Sequence, residues 1–111
     1  MRFLIFGGAL LLLTPTQSFA VSITYTPLGC QQITSLSSAV GFSSIPAGAT
    51  LASISVEGQT VRYRDDGTAP TASVGTPLPA GLTAWPYSGS LSAIQFIQVA
   101  PSATLDVCFY Q

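Results

Sequence analysis

The chain has 111 residues, 48% of them hydrophobic and only 6% charged, with three arginines, four carboxylates and neither lysine nor histidine. That length bounds it to one domain, and so apolar a composition excludes an intrinsically disordered chain. Without a cationic stripe to displace counterions from phosphates, nucleic-acid binding is excluded as well.

The first segment, MRFLIFGGALLLLTPTQSFA from Met1 to Ala20, has one arginine, an apolar run from Phe3 to Leu13, a Thr-Pro break, and Ser18 and Ala20 three and one before a cut. That is the layout of a secretory signal peptide. The run is shorter than the roughly 20 residues a spanning helix needs, so the sequence predicts no stable membrane anchor after processing. No cysteine follows the expected cut before Val21, which disfavours a lipoprotein.

From Val21 to Gln111, Arg62 and Arg64 face Glu57, Asp65, Asp66 and Asp106, a net charge of −2. Gly and Pro recur every eight to twelve residues, and short runs rich in Val, Ile, Thr, Tyr and Phe lie between them. This spacing predicts an all-β fold. We expect residues 21–111 to form a compact antiparallel β-sandwich, jelly-roll-like, of seven or eight short strands behind the cleavable segment.

In chain order, VSITYT is the first expected strand and QQITSLSSAVGFS a weaker one. LASISV alternates cleanly, with Ala52, Ile54 and Val56 on one face and Leu51, Ser53 and Ser55 on the other, the period of a half-buried strand. TVRYR repeats the pattern, placing Arg62 and Arg64 together opposite Val61 and Tyr63. In LTAWPYS, Pro86 confines the strand to a sheet edge or a bulge, because proline donates nothing to the ladder. SAIQFIQV is more uniformly apolar and reads as a central strand. ATLDVCFY turns Ala103, Leu105, Val107 and Phe109 inward and Thr104, Asp106, Cys108 and Tyr110 outward. A domain of this size buries a smaller fraction of its surface than a large one does, so self-association or a crosslink would help it.

Cys30 and Cys108 could supply that crosslink, closing a loop of nearly eighty residues worth about 4 kcal/mol in the chain-entropy description. Export favours the bond, whereas two free thiols would serve as small hydrophobes. Two cysteines without histidine do not fill a zinc shell.

The charges concentrate in VRYRDDGTAPT, starting at Val61. Adjacent strand residues point to opposite faces, so Asp65 and Asp66 fit poorly the two carboxyls about 5–9 Å apart that glycoside hydrolysis requires. A calcium loop lacks its full ligand spacing. Asp65, Asp66 and Gly67 instead supply turn chemistry, and an Arg–Asp bond from Arg62 or Arg64 would fix its geometry. With no histidine or lysine to act as base, the serines and threonines are not activated nucleophiles. No phosphate loop or dinucleotide fingerprint occurs. No catalytic residue, cofactor or metal is therefore expected, and Arg62, Arg64, Asp65, Asp66 and Gly67 are assigned to a structural corner or contact. Trp85, Tyr87, Tyr25, Tyr63 and Tyr110 are the residues that a sugar-stacking platform would use, although strand aromatics commonly pack as cross-strand pairs.

LGCQQITSLSSAVGF, VEGQTVRYRDDGTAPTASVGTPLPAG and LSAIQFIQVAPSATLDVCFY together resemble a family of small proteins encoded by tailed bacteriophages and prophages, often near virion structural genes. RYRDDGTAPTASVG is the most specific part of the resemblance. It implies a β-sandwich and a non-enzymatic place in or on the virion, as a decoration or adaptor subunit that contacts itself or other virion subunits. The first twenty residues depart from this pattern, because subunits assembled in the cytosol do not need export. An exported binding module at the periplasm or cell surface, acting on glycans, is the alternative expectation.

Overall fold

The computed structural model describes residues 24–111, and these form seven strands in two antiparallel sheets with no helix. The expected signal peptide and the start of the VSITYT strand lie outside the described residues. The strands are β1 (Pro27–Ile33), β2 (Leu51–Glu57), β3 (Val61–Arg64), β4 (Thr76–Leu78), β5 (Trp85–Tyr87), β6 (Gln95–Gln98) and β7 (Thr104–Tyr110). One sheet has the order β1-β7-β2-β5 and the other β4-β3-β6.

Alternation decides which side chains enter the core. Ala52, Ile54 and Val56 of β2 and Leu105, Val107 and Phe109 of β7 are all buried. They pair directly, Ala52 with Phe109, Ile54 with Val107 and Val56 with Leu105, so the two most regular strands present one apolar surface. Val61, Leu78 and Phe96 answer it from the smaller sheet. Burial of each large side chain of this kind contributes about 1.5–3 kcal/mol.

Two aromatic clusters tie the sheets together. Phe42, in the connection after β1, has its ring centroid 5.4 Å from Phe96 and 5.1 Å from Phe109. Tyr63 of β3 meets Trp85 at 5.5 Å and Tyr87 at 6.3 Å across the other flank. Leu36, Leu91 and Ile94 enter the core from connections. Among the described residues the one buried side chain that carries a polar group is that of Tyr87.

The outer face of the larger sheet carries the cysteines. Cys30 and Cys108 are direct partners on β1 and β7, and a disulfide joins them with a Cα separation of 4.0 Å. Ser53 of β2 follows in the same row, and Pro86 of β5 ends it.

Three details differ from the sequence reading. SAIQFIQV does not supply a central strand: β6 lies at the edge of its sheet. Its free side is covered by residues 36–40, through Gln98 N–H to the Leu36 carbonyl at 2.9 Å and a reciprocal Val40–Phe96 pair at 2.8 and 2.9 Å. A short apolar run looks alike in a central strand and in an edge strand that a connection shields. β1 begins at Pro27, after Thr26 and Gln111 exchange backbone hydrogen bonds. Finally, β4 is a three-residue strand containing Pro77, too short and too proline-marked to show alternation.

β5 is an edge strand, as Pro86 requires. Its pairing with β2 is interrupted around Ala84, which has φ 53° and donates its N–H to Ser55 Oγ at 2.9 Å. Pairing resumes where Val56 and residues 81–82 exchange backbone bonds of 2.8 Å.

Because β1 and β7 are hydrogen-bonded and packed independently of sulfur, replacing both Cys30 and Cys108 by serine should preserve the strands while lowering stability by up to about 4 kcal/mol. Urea denaturation followed by circular dichroism would measure this, and an unchanged midpoint would refute it.

Candidate functional site

β3 is where the chain's charges converge, and its parity separates their tasks. Val61 is fully buried and Tyr63 faces Trp85, so Arg62 and Arg64 project from the opposite face. On that face Arg62 lies opposite Pro77 and Ile97, and Arg64 opposite Gln95.

Of the two arginines open to an Arg–Asp bond, Arg64 makes it and Arg62 bonds to backbone carbonyls instead. Its guanidinium donates from Nε to the Ala72 carbonyl at 3.1 Å and from Nη1 to the Gly75 carbonyl at 2.8 Å. The connection from Asp65 to Gly75 folds back toward β3, which brings two orphan carbonyls within reach. A charged donor to such carbonyls is a stronger bond than a neutral one. Gly75 permits the approach: at φ 139°, a Cβ there would lie 3.0 Å from the Tyr63 carbonyl and 3.2 Å from both Arg62 Cβ and Pro70 Cβ. Within the connection Thr71 turns the chain, its Oγ1 accepting from Val74 N–H at 2.9 Å.

Arg64 makes the bidentate bond, from Nε to Asp66 Oδ1 at 3.1 Å and from Nη2 to Oδ2 at 2.5 Å. Asp66 also accepts the Thr68 N–H at 3.3 Å, the Asx turn that brings the chain round Gly67 at φ 87°. These bonds, the Arg64 one first, hold the Asp66 carboxyl down at about 2, below its ordinary 3.8. The same pairing raises the Arg64 guanidinium. Asp66 is therefore a fixed carboxylate near neutral pH, unsuited to the proton transfer of a general acid.

Asp65 has a different partner, and not either arginine. It accepts the Tyr87 hydroxyl at 2.6 Å, joining the end of β3 to β5 of the other sheet. Burial and the Asp65 carboxylate both push the Tyr87 phenol above its usual 10.0. Asp65 and Asp66 are thus oriented by separate elements. The turn they begin opens the long connection between the antiparallel strands β3 and β4, which Arg62 anchors through the Ala72 and Gly75 carbonyls.

Between these parts lies a groove of about 330 Å³ lined by Tyr63, Arg64, Asp65, Asp66, Val74, Gly75 and Thr76. The five aromatics of the expected platform do not share a surface. Tyr63, Trp85 and Tyr87 cluster between the sheets, while Tyr25 pairs with Tyr110 on the outer face at 6.5 Å.

A second acidic pair was missed by sequence reading. Ser55 lies opposite Asp106, so Glu57, two residues along β2, shares its face. Asp106 accepts Gln32 Nε2 at 3.0 Å. Hydrogen bonding to Asp106, then repulsion by it, raises the Glu57 carboxyl. Parity marks both acids as outward, but only strand register makes them neighbours. Among the described residues no three metal-ligating side chains gather in one place.

Two outcomes follow. Arg62→Ala should release the 65–75 connection while leaving the core formed; hydrogen exchange at the Val74 amide, which donates to Thr71, should rise at least tenfold, and Arg62→Lys, which cannot reach both carbonyls as a planar fork, should rescue only part of the protection. Unchanged exchange in Arg62→Ala would refute the anchoring role. For Asp66, the folded carboxyl titrates below the unfolded one, so its contribution is complete above pH 3.8 and is lost as pH falls through about 2. A carboxyl carbon NMR titration should place its midpoint near 2, and Arg64→Gln should bring it up toward 3.8.

Comparison of the chain with protein-family models, with curated proteins and with solved structures finds no match.

Proposed function

We propose that this chain is a non-enzymatic, virion-associated structural subunit of a tailed bacteriophage or prophage, of the decoration or adaptor kind, and that its fold is a jelly roll. The observation that carries the fold is the connectivity. An eight-stranded jelly roll pairs its first strand with its last, the last with the third and the third with the sixth; its second pairs with the seventh, the seventh with the fourth and the fourth with the fifth. If residues 36–40, bridged to β6 through Val40 and Phe96, stand for a vestigial second strand, then β1-β7-β2-β5 supplies the first set. The bridge with β6-β3-β4 supplies the second.

Viral shell proteins and lectins are frequent users of this architecture, and fold alone does not choose between them. The sequence resemblance in RYRDDGTAPTASVG favours the virion. So does the use made of that block: Arg62, Arg64 and Asp66 spend their bonds on rigid loop geometry, which suits a surface that must meet neighbouring subunits repeatedly. In the alternative reading, an exported binding module at the periplasm or cell surface, residues 1–20 act as a cleaved export signal, and the domain matures from Val21 in an oxidising compartment, where the Cys30–Cys108 bond forms.

Mass spectrometry of purified particles should find peptides covering Tyr63 to Thr76 in stoichiometric amount. Absence from a complete particle proteome, with the protein confined to the periplasmic fraction, would overturn the virion role and favour the exported binding module.

A further inference from the structure

We infer that the groove beside Arg64 and Asp65 is a binding subsite for a neutral saccharide. This goes beyond the virion reading and does not rest on it. It also moves any glycan contact away from the dispersed aromatics Trp85 and Tyr110 to residues that the fold brings together.

The lining selects the ligand class. A sugar presents hydroxyls that both donate and accept, and an apolar C–H face. The groove offers a guanidinium donor from Arg64, a carboxylate acceptor from Asp65, the Thr76 hydroxyl, and apolar surface from the half-exposed Val74. Arg64, Asp65 and Asp66 sum to one negative charge, which disfavours phosphate, sulfate and carboxylate ligands. A divalent cation is disfavoured too, because Asp66 gives Oδ1 and Oδ2 to Arg64 and the Thr68 N–H. The volume of about 330 Å³ is at the small end of ligand clefts, about 300–1,000 Å³, suiting one or two sugar rings.

The walls are also fixed before a ligand arrives. Asp66 holds the Arg64 fork, the Tyr87 hydroxyl orients Asp65, and Arg62 pins the Ala72 and Gly75 carbonyls that carry the Val74 wall. Side chains already ordered lose less freedom on binding, which matters most for a weak, polar ligand. The clustering of two arginines with two aspartates thus builds a small rigid concavity whose remaining hydrogen-bonding capacity faces solvent.

The test is an amide NMR titration of the full chain with lactose, maltotriose and N,N′-diacetylchitobiose, with sialyllactose as the anionic counterpart of lactose. At least one neutral probe should give saturable millimolar shifts confined to residues 63–66 and 74–76. Val74→Asp, which adds charge at an exposed wall without touching the core, and Asp65→Asn, which can still accept from Tyr87, should each weaken binding about tenfold with the remaining spectrum unchanged. No saturable shift with any neutral probe would overturn the inference, as would shifts centred elsewhere, tighter binding of sialyllactose than of lactose, or undiminished binding by a folded Val74→Asp variant. These readouts are independent of whether particles contain the protein.

Discussion

The double-sided pairing of β7 is the constraint from which the rest of the structure follows. β7 bonds to β1 along one edge and to β2 along the other, so the final residues of the chain register a strand from its beginning against one from its middle. That arrangement is long-range and entropically expensive to close. It is offset by a continuous buried surface, Leu105, Val107 and Phe109 against Ile54, Val56 and Ala52. A one-residue slip of β7 would turn Leu105, Val107 and Phe109 to solvent and Asp106 into the core, which is why the register is unique.

The remaining sheet edges are handled by different means. β5 carries Pro86 and an interrupted ladder beside Ala84, and β4 is three residues long with Pro77 at its centre. β6 is shielded by residues 36–40. At β1, Gln31 accepts from Ser43 N–H at 3.0 Å and donates to the Ser44 carbonyl at 2.7 Å, drawing the next connection toward the strand. Short strands, prolines and covering connections all limit the edge-to-edge pairing that an apolar, weakly charged chain would otherwise invite.

Charge is used sparingly and locally. Arg62 bonds to backbone carbonyls, Arg64 to Asp66, and Tyr87 to Asp65. An exposed ion pair such as Arg64–Asp66 adds little stability on its own. Its effect is geometric, since it fixes where the chain leaves β3 and hence where the 65–75 connection lies. Both the proposed assembly surface and the proposed saccharide groove depend on that rigidity.

Local sequence determined the class of structure. Period-two alternation in LASISV, VRYR and ATLDVCFY named the inward residues of β2, β3 and β7, because strand parity is a property of the backbone alone. Pro86 likewise marked an edge, since a missing N–H has the same meaning in any sheet. Parity could not say which strands become neighbours. The edge position of β6, the placing of Cys30 directly opposite Cys108, the meeting of Glu57 with Asp106, and the choice of Tyr87 as the partner of Asp65 all arise from contacts between residues far apart in the chain. The VRYRDD segment shows the division within one strand: alternation put Arg62 and Arg64 on a common face, while only the path of the 65–75 connection brought carbonyls to one and left Asp66 to the other.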